Sequence, residues 1–334
     1  MRADGVDPLI LDAGDIFFST SKLNDKNIKS EIHRAKSIIN GYEDIGCNAI
    51  NVGHYEVLNG LNFLNSITNE TEIPFISANL RYAKSKDLVF QPYMLFKKDG
   101  LKIGVVGVTS KLPDTSKTIV ADDYIDAGNK YIDPLSKDVD IIVLLVNCTR
   151  SEQASLNKNF PNADFIITSG STNMTRSNNS QASEGPLVFS CGKQGKYLIT
   201  AELALKDKNE MFVDITAEEK KINQIRKRFE RLQKKDPNKS LEELYADQSN
   251  VLKLIDGYRK DEADSKKLIE KAVNKLKYNT LALNRKIGDD PKMLKFVNSA
   301  VATCEILNPQ EKNKKISKGE KSSLGHSSHD GHNH

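Results

Sequence analysis

With 334 residues, 38% of them hydrophobic and 28% charged, the chain can bury one large core and still carry a solvated helical appendage. A formal charge of +4, with no stretch that interleaves aromatic and basic residues, argues against nucleic acid as a partner. No apolar run reaches the roughly 18 residues of a membrane helix. Cys47, Cys148, Cys191 and Cys304 are widely spaced and include no CxxC pair, so neither a zinc site nor a disulfide framework is signalled. The opening residues, Met1 to Pro8, hold no apolar segment of a secretory signal in the chain as written.

Leu9-Ile10-Leu11-Asp12-Ala13-Gly14-Asp15 reads as a buried strand ending in a Gly-Asp turn. An α/β sheet delivers a carboxylate into the crevice at its strand tips in this way, Gly14 allowing the turn and Asp15 pointing into the site. Ile28, Ile32, Ala35, Ile39 and Tyr42 then recur at helical spacing, with His33 on the exposed side of that helix. Strands are expected at Asn48–Val52 and Pro74–Ala78. Leu101–Val108 and Asp140–Val146 are near-continuous β-branched runs, as in strands buried on both faces. Asp164–Thr168, Leu187–Cys191 and Tyr197–Leu205 complete the set. Strand–helix alternation of this kind predicts an α/β domain with crossover connections over residues 1–210.

After Asp214 the character changes. Thr216-Ala217-Glu218-Glu219 reads as a capping box, followed by Ile222, Ile225, Phe229 and Leu232 at helical spacing. Asp236-Pro237 breaks that helix, and Ser240-Leu241-Glu242-Glu243 opens another. Leu268, Ile269, Ala272 and Leu276 mark a third. Lys and Glu on the other faces make residues 215–305 a charged helical hairpin or short coiled coil, a surface for a protein partner or, through a basic helix, for an acidic partner or membrane. Tyr278–Leu283 reads as a returning strand, and Asp290-Pro291 starts a last helix to about Cys304. Residues 309–334 are Lys-, Ser- and His-rich and read as a disordered tail. His326, His329, His332 and His334 there are either metal-chelating imidazoles or plain polar tail.

Five phrases fall at strand tips in one order: Leu11-Asp12-Ala13-Gly14-Asp15, Val52-Gly53-His54-Tyr55-Glu56, Phe75-Ile76-Ser77-Ala78-Asn79-Leu80, Lys102-Ile103-Gly104-Val105-Val106-Gly107-Val108-Thr109 and Cys191-Gly192-Lys193-Gln194-Gly195-Lys196-Tyr197. Together they resemble the N-terminal domain of the 5'-nucleotidase, UshA-like branch of the calcineurin-like metallophosphoesterases, over roughly residues 5 to 206. The resemblance implies a metallophosphoesterase-like sheet sandwich flanked by helices, two divalent cations (Mn or Zn) sharing a bridging aspartate at Asp15, and a small phosphoester substrate. It also implies an extracytoplasmic location. A paired-cation site clamps the attacking and leaving oxygens of a phosphoryl transfer.

Three departures set this chain apart from that family. The family's opening strand, with its Asp-x-His ligands, belongs ahead of Leu9, so the chain reads as N-terminally truncated and its sheet as short of a central strand. The family's Gly-Asn-His-Glu is here Gly53-His54-Tyr55-Glu56: His54 takes the place of an Asn metal ligand, and Tyr55 that of the histidine that protonates the leaving group. A phenol with a pKa near 10 is a poor acid–base at neutral pH. A related thiosulfohydrolase branch, acting on sulfur esters, also shows a Gly-His-aromatic-Glu phrase. The later histidine motifs are replaced by Asn147-Cys148-Thr149 and Gly170-Ser171-Thr172-Asn173. Asn147, Ser171 and Asn173 are either weak oxygen ligands or loop residues. The family's nucleobase-stacking second domain is replaced by the hairpin. Weak or no mononucleotide hydrolysis is therefore expected. The alternatives are a binding or scaffold protein on the same fold, or a thiol-dependent redox or sulfur-transfer enzyme. In the last, Cys148 and Cys191 would lie at the site edge and Lys193 would favour the Cys191 thiolate.

Overall fold

The computed structural model describes residues 2, 5–113, 117–176, 185–192 and 195–308. The expected tail at 309–334, with its four histidines, and Lys193 lie outside the described residues. In chain order the elements are β1 (Leu11–Asp12), α1 (Ile28–Ile45), β2 (Ala49–Asn51), α2 (Gly60–Thr68), β3 (Phe75–Ile76), β4 (Leu80–Tyr82), β5 (Tyr93–Lys98), β6 (Leu101–Thr109), β7 (Ile119–Ala121), α3 (Tyr124–Leu135), β8 (Ile141–Asn147), α4 (Leu156–Asn159), β9 (Phe165–Ser169) and β10 (Leu187–Ser190). There follow β11 (Tyr197–Ala204), β12 (Phe212–Asp214), α5 (Thr216–Gln233), α6 (Leu241–Leu244), α7 (Ser249–Lys271), β13 (Asn274–Ala282) and α8 (Pro291–Leu307).

β1, β2 and β3 form one parallel sheet in that order, and β10, β9, β8, β6 and β5 form a second, parallel except for the β5–β6 hairpin. Every residue of β8 is buried, as the unbroken Ile-Ile-Val-Leu-Leu-Val run requires of a strand covered on both faces. The two sheets meet at very short range along β6. Ala78 N donates to Gly107 O at 2.7 Å, and the Asn51 amide reaches Val108 O at 3.0 Å. A β-carbon at Gly107 would stand 2.5 Å from Asn51 Oδ1 and 3.0 Å from Ile76 O, so only glycine allows this approach. Separate core clusters fill the space under α1 and α2, under α3 and α4, and between the sheets.

The segment after residue 215 is not a free appendage. β13 runs antiparallel to β11 and parallel to β12, so one strand from each side of the expected boundary makes the same sheet. Its Leu276 and Tyr278 enter the core between the sheets, where Phe189 meets the Tyr278 ring edge-on at 5.1 Å and Tyr278 Oη donates to Arg176 O. Leu276 therefore belongs to a strand and not, as its spacing suggests, to the preceding helix. α8 docks on α1, with Ser30 Oγ donating to Cys304 O at 3.0 Å. His33, on the same α1 face as Ser30 and Gly41, is half-buried as a result and not a surface residue. Only α5, α6 and α7 form the expected hairpin, antiparallel through Phe229 against Tyr258 and Lys221 against Asp261.

Two of the expected caps differ in outcome. Ser240 and Glu243 make a reciprocal capping box. Thr216 does not cap α5; its hydroxyl accepts from Tyr278 N at 2.9 Å, and Asp214 Oδ1 instead accepts from Thr216 N. A strand N–H that would otherwise be buried without a partner claims the hydroxyl. Because Leu276 is fully buried, Leu276→Ala is expected to cost about 2–5 kcal/mol. In urea, circular dichroism and tyrosine fluorescence should report the same shifted single transition. Separate loss of the helical signal would contradict a continuous core.

Candidate functional site

The C-terminal tips of β1, β2, β8 and β9 converge, and the site is built from the turns that leave them. Gly14 turns the chain after β1 with φ +92°, and a β-carbon there would stand 2.5 Å from Asn51 O. Asp15 follows in the left-handed region at φ 68°, a conformation that a short polar side chain tolerates. The buried Glu56 carboxylate fixes this turn. Its Oε2 accepts from Asp15 N and Gly53 N, both at 2.8 Å, and its Oε1 accepts from Ile16 N at 2.8 Å. Asp15 Oδ1 accepts from Tyr55 N at 2.9 Å in return. A second buried carboxylate, Glu31 on α1, holds the far end of the same loop by accepting from Ser19 N and Ser19 Oγ.

Burial and the neighbouring Asp15 push Glu56 up to about 8, against the downward pull of its backbone donors. Deeper in β1, burial raises Asp12, whose carboxylate accepts from Tyr42 Oη at 2.7 Å and Gly14 N at 2.8 Å. Asp12 thus supports the turn from below and faces the interior.

The expected site residues are brought to one edge, and most already have protein partners. His54 N donates to Asn147 Oδ1 at 3.1 Å, while Asn147 Nδ2 donates to Ser169 Oγ at 2.8 Å. Ser169 Oγ in turn donates to Ala13 O at 2.7 Å. Both ends of the Asn147 amide are therefore engaged in tying the β1, β2, β8 and β9 turns together. Ser171 Oγ accepts from Asn173 N, and the Asn173 amide donates to Gln153 Oε1 at 2.6 Å. The His54 ring is half-buried and tilted against the Tyr55 ring at 5.8 Å. Among the described residues, no group of three or more His, Cys, Asp or Glu side chains is arranged to hold a metal ion. Of the expected metal ligands, Asp15 and His54 both lie at this edge.

Tyr55 is a poorer proton donor here than a free phenol, because burial and the Asp15 and Glu31 charges raise it further. Burial raises the two thiols as well. Burial, with Glu152 nearby, pushes Cys148 up to about 12, and burial raises Cys191, whose proposed activator Lys193 lies outside the described residues. These shifts oppose the thiol-dependent alternative at its chemical starting point. Sequence reasoning gave no role to Glu56, although it stands in the Gly53-His54-Tyr55-Glu56 phrase. Glu31, Gln153 and Ser169 carried no local signal, since their partners are distant in sequence.

No family model matches the chain. Among curated proteins, the 5'-nucleotidase of Vibrio parahaemolyticus is 33% identical over 117 residues, 35% of this chain and 19% of that protein. The 5'-nucleotidase of Vibrio cholerae is 31% identical over 145 residues, 43% of this chain and 24% of the relative. Protein UshA of Escherichia coli is 31% identical over 117 residues, 35% and 20% of the two chains. The matched region thus spans about a fifth to a quarter of the length of these relatives. Among solved structures, a 5'-nucleotidase precursor from Thermus thermophilus superposes with TM-score 0.52 at 20% identity, over 63% of this chain and 44% of that one. The Thermus thermophilus sulfate thiohydrolase SoxB gives TM-score 0.51 at 17% identity, over 60% and 37%, and both show a shared fold.

Two outcomes test the site as described. Glu56→Ala leaves buried N–H groups of Asp15, Ile16 and Gly53 without an acceptor and is expected to cost more than about 3 kcal/mol in urea unfolding. Glu56→Gln, which keeps one acceptor oxygen, should cost clearly less. Cys148 should react with iodoacetamide at neutral pH more slowly than a free thiol, and labelling at the free-thiol rate would refute the burial argument. The ordered phrases, the two-sheet architecture and the curated matches agree: over the matched part, this chain is similar to the UshA-like, 5'-nucleotidase branch of the calcineurin-like metallophosphoesterases and shares its fold.

Proposed function

We propose that this chain is a divergent phosphoric ester hydrolase of the UshA-like type, tied by descent to nucleotide breakdown, with weak or no activity on mononucleotides. One observation carries the reading: Asn147, Ser171 and Asn173 stand where the resemblance calls for histidine ligands, Asn147 and Asn173 are engaged in hydrogen bonds between loops, and Ser171 accepts from Asn173 N within its own turn. Asn147 uses both ends of its amide within the protein, and amide or hydroxyl oxygens are weaker cation donors than the imidazoles they replace. The residues present therefore do not fit a pair of divalent cations, and Asp15 and His54 alone fall short of a dinuclear donor set. The raised Tyr55 phenol is a second obstacle to leaving-group protonation.

A binding role on the same scaffold is the second reading, favoured by the α5–α7 hairpin, which projects a charged surface that the hydrolytic site does not use. An extracytoplasmic location follows from the family resemblance. Among the described residues no helix is long and apolar enough to cross a membrane.

Calorimetric titration with Mn and Zn, on a chain ended at Asn308 to remove the tail histidines, should find fewer than two equivalents bound. Phosphate release from AMP should stay near background under the same conditions. Two equivalents bound together with brisk release would overturn the reading.

A further inference from the structure

We propose that the outward face of α5 is an electrostatic docking surface for an anionic lipid bilayer. The inward face is occupied: Ile222 and Ile225 are buried, and Phe229 meets the Tyr258 ring edge-on at 6.0 Å. A turn of about 100° per residue places Lys227 and Arg231 on the opposite side, continued by Lys234 at the helix C-cap, all exposed, in a row about 10 Å long. Neighbouring basic residues of the helix are neutralised, Lys221 by Asp261 at 3.3 Å and Arg226 by Glu262 at 3.7 Å. Lys227, Arg231 and Lys234 meet no carboxylate within ion-pair distance among the described residues, and Glu230 stands at the edge of their row.

Lys227 with Arg231 are like charges at i,i+4, and Arg231 with Lys234 at i,i+3. Such pairs weaken a helix unless something outside it supplies the counter-charge. The chemistry of the row selects among anionic partners. A specific protein interface needs buried aromatic or apolar anchors, and the one aromatic side chain in the segment, Phe229, is turned inward. Single-stranded nucleic acid needs stacking faces, which the row also lacks. The apolar side of α5 is used against α7, so the helix cannot insert as an interfacial helix does. A straight row of mobile cations over a plane of headgroup phosphates and carboxylates uses what is present, and such attraction falls with ionic strength.

The test is co-sedimentation of the full chain with vesicles. Binding is expected to vesicles of phosphatidylcholine with phosphatidylserine, not to phosphatidylcholine alone, and to be lost as salt is raised. The triple variant Lys227→Gln, Arg231→Gln, Lys234→Gln should bind at least about tenfold more weakly with unchanged circular dichroism. The charge-conserving variant Lys227→Arg, Arg231→Lys, Lys234→Arg should bind like the parent chain and so controls for folding. No phosphatidylserine-dependent binding overturns the proposal. Undiminished binding of the Gln variant, carried by the Lys-rich tail, overturns it too. Tighter binding to duplex DNA, weakened by the same three substitutions, would overturn the bilayer assignment.

Discussion

The arrangement at the strand tips depends on the buried carboxylate of Glu56. The turn after β1 and the turn after β2 each present backbone N–H groups to the interior, where no water can satisfy them, and one side chain accepts from both. Desolvation works against the ionised form, as its raised pKa reflects, and the converging N–H dipoles work for it. This balance lets Asp15 sit in a left-handed conformation, because the N–H groups of Asp15 and Ile16 are both fixed from below. Glu31 repeats the device at Ser19, so the loop that carries Asp15 is held at both ends by groups from other elements.

A second polar layer joins the two sheets. The Asn51 amide bridges Ala13 O and Val108 O, and the Asn79 amide takes Thr109 O and Asp122 O while its Oδ1 accepts from Thr109 N. The Thr109 hydroxyl donates to Val52 O. Primary amides suit this task because each carries donors and an acceptor in a fixed plane, enough to close the ends of adjacent strands without water. Asn147 and Ser169 extend the same logic one step further toward the edge.

The sequence made the α/β body legible because its strands are buried on both faces. Ile103–Val108 and Ile141–Val146 are unbroken by any charged or polar side chain, and burial of this kind leaves no alternation to misread. The hairpin was legible in the same way, from the Ile222, Ile225 and Phe229 spacing and the Ser240 capping box. What could not be read was long-range partnership. Leu276 continues a helical period in sequence yet belongs to a strand, because β11 offers an open edge some seventy residues earlier. The Thr216 hydroxyl is claimed by Tyr278 N for a related reason: a distant buried donor outweighs a local cap. At the site, the five phrases placed Asp15, His54 and Tyr55 at one edge, whereas the roles of Glu31, Gln153 and Ser169 arise only from folding.

Asparagine at a strand tip serves the architecture directly. Histidine ligands at strand tips must leave a nitrogen lone pair free for the cation, so they contribute little to closing the turns that bear them. Asn147 and Asn173 do the opposite, linking β8 to β9 and the loop after β9 to Gln153. On the proposed reading, an amide at such a position has an internal hydrogen bond where an imidazole would keep an open coordination point. Selection on the remaining surface, including the unpaired cations of α5, can proceed without disturbing the core that Glu56 and Asn51 hold together.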